Sequence, residues 1–125
     1  MKQMNSRELG ELLIRDDRTR IIDVCFARER AESGYIKNAR HIPLYMPNWD
    51  PNPDFVDEVV RIAARDTPLV FVCRSGNRSC LACEIIEKQG YTEVYNLSEG
   101  YMGLLALKLW RAVNGEIDLL QPVRC

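Results

Sequence analysis

The spacing of apolar positions changes several times along the chain, and each change marks an expected element. Asn5 followed by Glu8 forms a capping-box pattern, and Leu9, Leu12 and Leu13 then share one stripe, which predicts a helix over roughly residues 6–16. Residues 20–24 (RIIDV) read as a short buried strand, and the charged stretch 27–33 as one or two helical turns stopped by Gly34. Residues 40–44 suggest another short strand, ended by Pro43. Four of the six prolines then fall between positions 43 and 53 together with Trp49, which predicts an irregular loop. Phe55, Val59, Ile62 and Ala63 return to helical spacing through about residue 65. Residues 69–72 (LVFV) are apolar at every position, as a central parallel strand covered on both faces would be. A loop at 73–78, a helix at 79–89 stopped by Gly90, a strand at 94–97 and a strongly apolar helix at 101–113 before Gly115 complete the pattern.

Strands alternating with helices predict an α/β fold of three layers, a central parallel sheet with helices on both faces. No internal repeat or low-complexity tract divides the chain. A single domain over residues 5–113 is expected, with 114–125 as a C-terminal tail. Ligands of such sheets bind outside the carboxyl ends of the strands. Cys73 stands at that end of the most apolar strand.

Composition narrows the field without naming a partner. At 125 residues the chain is one domain's worth, able to bury a core without staples. Lys and Arg number 17 against 18 for Asp and Glu, so there is no basic excess of the kind nucleic-acid binding calls for. The first residues lack the apolar core of a signal peptide, and no apolar run approaches a membrane span. Five cysteines, an odd count without a secretion signal, predict a reducing compartment with a working thiol, and hence the cytoplasm.

The chemistry concentrates in Cys73-Arg74-Ser75-Gly76-Asn77-Arg78-Ser79. A thiol becomes a strong nucleophile when a positive field holds it as thiolate. Three sources of such a field are present. A helix beginning after the loop brings its unpaired N–H groups and positive dipole end near the sulfur. A tight turn at Gly76 lets backbone N–H groups converge into an anion-binding nest. Arg74 and Arg78 lie in a window, residues 67–83, that holds no Asp or Glu. A lone cysteine at a strand end is usually packing. Glycine and two arginines ahead of a helix make this one a candidate nucleophile or anion site.

The same residues resemble a known family. VFVCRSGNRS, followed by a helix, Gly-Tyr and YNLSEGY, is similar to the active-site half of rhodanese-homology domains. RIIDVCFARERAESGYIKNARHIPL resembles their first half, and the two match in the expected order over roughly residues 5–105. Cys25 stands where the family usually has Arg, Tyr35 where it has His, and Lys37-Asn38 where it has Pro-Gly. The resemblance implies transfer of a sulfane sulfur through a persulfide on Cys73. The backbone from Arg74 to Ser79 would cradle that sulfur, and Asp23 would anchor the loop from a neighbouring strand end. A small sulfur anion such as thiosulfate would be the donor and cyanide, a thiol or an acceptor protein the acceptor, with no cofactor or metal. Related-fold phosphatases and arsenate reductases use the longer Cys-x5-Arg loop. Cys73 to Arg78 is Cys-x4-Arg.

Other reactive residues fit blander roles. Cys80 and Cys83 form C-x-x-C inside a helix, without the second pair a zinc site needs, and read as core packing. A redox-sensor alternative would pair Cys73 with Cys80 or Cys25. His41, the only histidine, is expected to be structural, and Trp49 either walls the pocket or covers a sheet edge. Cys125 is terminal and expected to be exposed.

Overall fold

The computed structural model describes residues 1–107, 110–113 and 116–119, with side chains through residue 103 apart from residue 33. Its core is a five-stranded, all-parallel sheet in the order β1-β6-β5-β2-β4. The strands are β1 (Lys2–Met4), β2 (Arg20–Asp23), β4 (Arg40–His41), β5 (Leu69–Val72) and β6 (Val94–Leu97). The helices between them are α1 (Ser6–Arg15), α2 (Ala27–Ser33), α3 (Phe55–Ile62), α4 (Asn77–Glu87) and α5 (Gly100–Leu107). A second sheet joins β3 (Tyr35–Ile36) in parallel to β8 (Glu116–Leu119), which pairs antiparallel with β7 (Trp110–Val113).

β5 is the middle strand, and its sequence explains why. Successive strand residues point to opposite faces, yet Leu69, Val70, Phe71 and Val72 are all fully buried, so both faces are covered. From β2 the chain moves through α2 to β4 on one side. From β5 it moves through α4 to β6 on the other. Neighbouring parallel strands whose connections depart in opposite directions leave a crevice at their carboxyl ends. Asp23 is opposite Val72 in the β2–β5 register, so the crevice opens between the residues after Asp23 and those after Val72.

α1 starts where the capping box predicts, with Asn5 Oδ1 accepting the Glu8 N–H at 2.8 Å and Glu8 Oε1 accepting the Asn5 N–H at 3.0 Å. α2 ends at Gly34, whose φ of 85° suits glycine. Residues 43–53 form the irregular loop, closed by a tight turn in which Met46 N–H bonds Asp50 O at 2.7 Å.

Three expectations need correction. The helix expected over 101–113 ends at Leu107, because Trp110–Val113 pair with β8 instead. An apolar run satisfies a buried helix and a buried strand alike, and pairing with a partner strand decided it. α4 begins at Asn77 rather than Ser79, leaving a shorter loop before it. β1 and β3 had too few residues to show a period. Part of the expected tail forms β8, while Cys125 and residues 114, 115 and 120–124 lie outside the described residues. Among the described residues, no helix is long and apolar enough to cross a membrane.

Since Phe71 is fully buried in the central strand against Phe55, Phe71→Ala should cost about 3–5 kcal/mol. Urea unfolding followed by circular dichroism would measure it.

Candidate active site

β5 ends at Val72, and Cys73 follows with its side chain fully buried. Three groups meet its sulfur. The Gly76 N–H donates to Sγ at 3.1 Å, the Ser79 N–H at 3.4 Å, and Ser79 Oγ lies 3.3 Å away. The first donor comes from the loop, the second from the first turn of α4, whose dipole end adds to the same positive field. Gly76 has φ of 93°, and a Cβ there would lie 2.6 Å from Ser98 O. Only glycine meets both conditions.

The back of the loop is held by α5. Tyr101 N–H donates to Cys73 O at 3.0 Å and Met102 N–H to Arg74 O at 3.2 Å. Gly100 makes the approach possible, since a Cβ there would stand 2.3 Å from Arg74 O. In a trans peptide the C=O and the following N–H point opposite ways. With both carbonyls turned onto α5, the N–H groups of Arg74 and Ser75 face away from it.

Buried polar partners brace this arrangement. Asn96, from β6, donates through Nδ2 to Gly76 O at 3.1 Å and Gln3 Oε1 at 2.9 Å, so its Oδ1 is free to accept the Ser79 hydroxyl at 2.5 Å. Asp23, fully buried at the end of β2, accepts the Cys25 N–H at 2.8 Å and the Tyr101 hydroxyl at 2.6 Å. It does not touch the loop, reaching it instead through Tyr101.

Arg78 and Arg74 behave differently. Arg78 makes a bidentate pair with Glu29 of α2, at 2.7 and 2.8 Å, and its guanidinium lies near the rings of Phe26 and Trp49. Those hydrogen bonds push Arg78 further up and hold Glu29 below the usual carboxylate range. The charge of Arg78 still acts on Cys25 and Cys73. Its fork, however, is occupied. The acid-free window around the arginines ends in space, because Glu29 arrives from another element. Arg74 is half-buried, and Ser75 and Asn77 are exposed on the open side of the loop.

The remaining candidates separate clearly. Burial, reinforced by Asp23, pushes the Cys25 thiol up, and burial does the same to Cys83. Both are therefore protonated at neutral pH and poor attackers. His41 Nε2 donates to Cys25 O at 2.7 Å, a structural bond. Trp49 packs edge-on against Phe26 at 4.7 Å and beside Tyr45, next to Arg78. Among the described residues no three His, Cys, Asp or Glu side chains cluster as a metal site.

Glu29, Asn96 and Tyr101 were missed as site residues. A polar Asn within the otherwise apolar VYNL strand was the one available signal, because buried amides need buried partners.

Comparison with known proteins identifies the family. The Rhodanese-like domain profile matches residues 6–107. The chain belongs to the rhodanese-like domain family. It is 30% identical to the uncharacterized protein RC0915 of Rickettsia conorii over 87% of this chain and 90% of that one. It is 32% identical to thiosulfate sulfurtransferase GlpE of Pseudomonas paraeruginosa, over 80% of this chain and 76% of the relative. Among solved structures, the human single-domain sulfurtransferase TSTD1 superposes with a TM-score of 0.64 at 27% identity, covering 85% of this chain and 96% of that one. The α/β fold with a central parallel sheet is thus the family's own.

Two outcomes follow from the site. Gly76→Ala meets both a positive φ and the Ser98 carbonyl, so it should lower Tm and pull the Gly76 N–H off the sulfur. Thermal melts would show the first effect, and a changed rate of Cys73 alkylation the second. The Glu29–Arg78 pair should weaken in acid. Glu29 is held below its ordinary value of 4.5, so the pair's stabilisation is full above that pH and is lost as pH falls through the lowered folded value. Glu29→Gln should remove that part of the acid dependence in denaturation curves taken across pH.

Proposed function

We propose that this rhodanese-like domain is a sulfurtransferase carrying a sulfane sulfur on Cys73 as a persulfide. The observation that carries the reading is the convergence of the Gly76 and Ser79 N–H groups on one sulfur at the end of the central strand. Donors of that kind stabilise an anionic sulfur without reorganising. The name of the Pseudomonas relative supports thiosulfate as the donor class.

In the first half-reaction the Cys73 thiolate attacks the outer sulfur of thiosulfate. The S–S bond of the donor breaks, sulfite leaves with the electron pair, and Cys73 becomes a persulfide anion. The N–H groups of Arg74 and Ser75, facing away from α5, receive the new terminal sulfur beside those of Gly76 and Ser79. Arg74 meets the incoming dianion, while Arg78, tied to Glu29, supplies a fixed positive charge. Asn77 starts α4 and is exposed at the open side of the loop. In the second half-reaction cyanide, a small thiol or the thiol of an acceptor protein attacks the terminal sulfur, returning the Cys73 thiolate. Two displacements at one sulfur predict ping-pong kinetics. Because Cys73 is buried, the donor reaches it only by parting side chains at the open side of the loop. Asp23 anchors the rear of the cradle through Tyr101. The reducing cytoplasm suits a persulfide and a free thiol.

The rival readings are weaker on physical grounds. A disulfide sensor would pair Cys73 with Cys25 or Cys80; burial holds the Cys25 thiol protonated, and a disulfide to the half-buried Cys80 is the outcome the adduct experiment below tells apart from sulfur transfer. A phosphatase or arsenate reductase needs a loop wide enough for a tetrahedral oxyanion, whereas here Gly76 already reaches the sulfur itself.

Mass spectrometry after thiosulfate treatment should find one added sulfur on Cys73, and Cys73→Ser should abolish transfer to cyanide while remaining folded. An intramolecular disulfide in place of the adduct would overturn the assignment. Inserting one glycine between Ser75 and Gly76 should lower sulfur transfer at least about tenfold by moving the donors outward, and should let vanadate bind. Wild-type hydrolysis of aryl phosphates faster than sulfur transfer would reverse the reaction class.

A further inference from the structure

The buried carboxylate of Asp23 needs a counter-charge, because an unpaired charge in a water-excluded site is strongly unfavourable. Its hydrogen-bond donors, the Cys25 N–H and the Tyr101 hydroxyl, are neutral. So is the Cys25 thiol, raised by burial and by Asp23 itself. The cation within ion-pair distance, among the described residues, is Arg30 of α2, its Nε 3.2 Å from Asp23 Oδ2. That Nε is buried and makes no hydrogen bond, so the contact is one of charge rather than of directed bonding. The guanidinium lies 4.1 Å from the centroid of the Tyr35 ring, which holds it in place by a cation–π contact.

From Asp23 the contacts run without a gap to the sulfur cradle. Asp23 Oδ2 accepts the Tyr101 hydroxyl, and the Tyr101 Oη in turn accepts the Ile36 N–H at 3.2 Å. The ring is thereby fixed at its far end. At its near end the Tyr101 N–H grips Cys73 O, with Met102 N–H on Arg74 O beside it. These two bonds set which way the loop peptides face. Loosening Tyr101 would let the carbonyls of Cys73 and Arg74 swing toward the sulfur, where a partial negative charge opposes a persulfide anion.

We propose that Arg30 is a positioning residue for sulfur transfer: as the counter-charge to Asp23 it fixes Tyr101, and through Tyr101 the orientation of the loop peptides that hold sulfur on Cys73. Arg30 touches neither the sulfur nor the donor. The inference rests on the sulfurtransferase reading for its kinetic consequence, but not for its structural one.

Both consequences are measurable. In steady-state transfer from thiosulfate to cyanide, Arg30→Met should lower kcat roughly tenfold or more while KM for thiosulfate stays within about twofold, since orientation and not capture is lost. Arg30→Lys should recover most of kcat, because it restores the charge. Adding Arg30→Met to Tyr101→Phe should cost little beyond Tyr101→Phe alone, as expected of groups acting in one chain of contacts. Amide hydrogen exchange reads the structural consequence without any chemistry. Arg30→Met should speed exchange of the Tyr101 and Met102 N–H groups at least about tenfold, with the β5 amides unchanged. Wild-type exchange rates at Tyr101 and Met102 in Arg30→Met would overturn the proposal, as would an unchanged kcat or a loss confined to KM. If Arg30→Met does not fold, Arg30→Lys and Arg30→Gln carry the same comparison, and equal kcat in the two would equally overturn it. Should wild type take up no sulfur, the sulfurtransferase reading fails, and the exchange rates still decide the role of Arg30.

Discussion

A sulfur anion in a protein interior is held only where N–H groups can point at it and carbonyls cannot. In this chain that condition is met by a loop whose first two carbonyls are bonded to the N-terminus of α5. The rest of the site serves that geometry. Gly100 admits the close approach of α5, and Gly76 turns the chain through a positive φ so that its own N–H returns to Cys73. Ser79 adds the last donor because α4 begins two residues earlier. Each requirement is steric, and the two glycines are where a side chain would collide with backbone that cannot move.

Around the cradle, charge is arranged in two part-buried pairs, each with one member from α2. Glu29 holds Arg78 in place in front of the loop, and Arg30 offsets Asp23 behind it. Neighbouring residues on one short helix thus serve opposite sides of one site. The consequence is a loop whose positive field comes mainly from backbone dipoles and the incompletely exposed Arg74. The N–H donors are already aimed, while the fixed ion pairs contribute rigidity.

Much of this was legible in advance where the relevant residues are contiguous. The LVFV run points to the central strand, because it is apolar at every position and, at four residues, too short for a buried helix. Its junction with Cys73 and the glycine-arginine loop marks the candidate site, and the spacing of Cys73 to Arg78 marks the loop as short. The capping box placed α1 to within a residue. The 101–113 stretch failed for a complementary reason. Apolar residues in series carry no period that separates helix from strand, and β7 exists only because β8 lies beside it.

What the sequence determined by itself is therefore local: the candidate nucleophile, the glycine that lets its loop turn, the strand–helix alternation from β2 through β6, and the absence of any strong charge bias. What only the tertiary structure decided is which groups oppose one another. Glu29 lies 49 residues from Arg78, and Tyr101 lies 78 from Asp23. No spacing rule relates such pairs. They meet because the sheet order places the end of β2 beside the end of β5, with α2 and α5 packed against the same loop. Where burial is complete, as at Asp23, the polar group must find its partners within the protein, since water no longer supplies them.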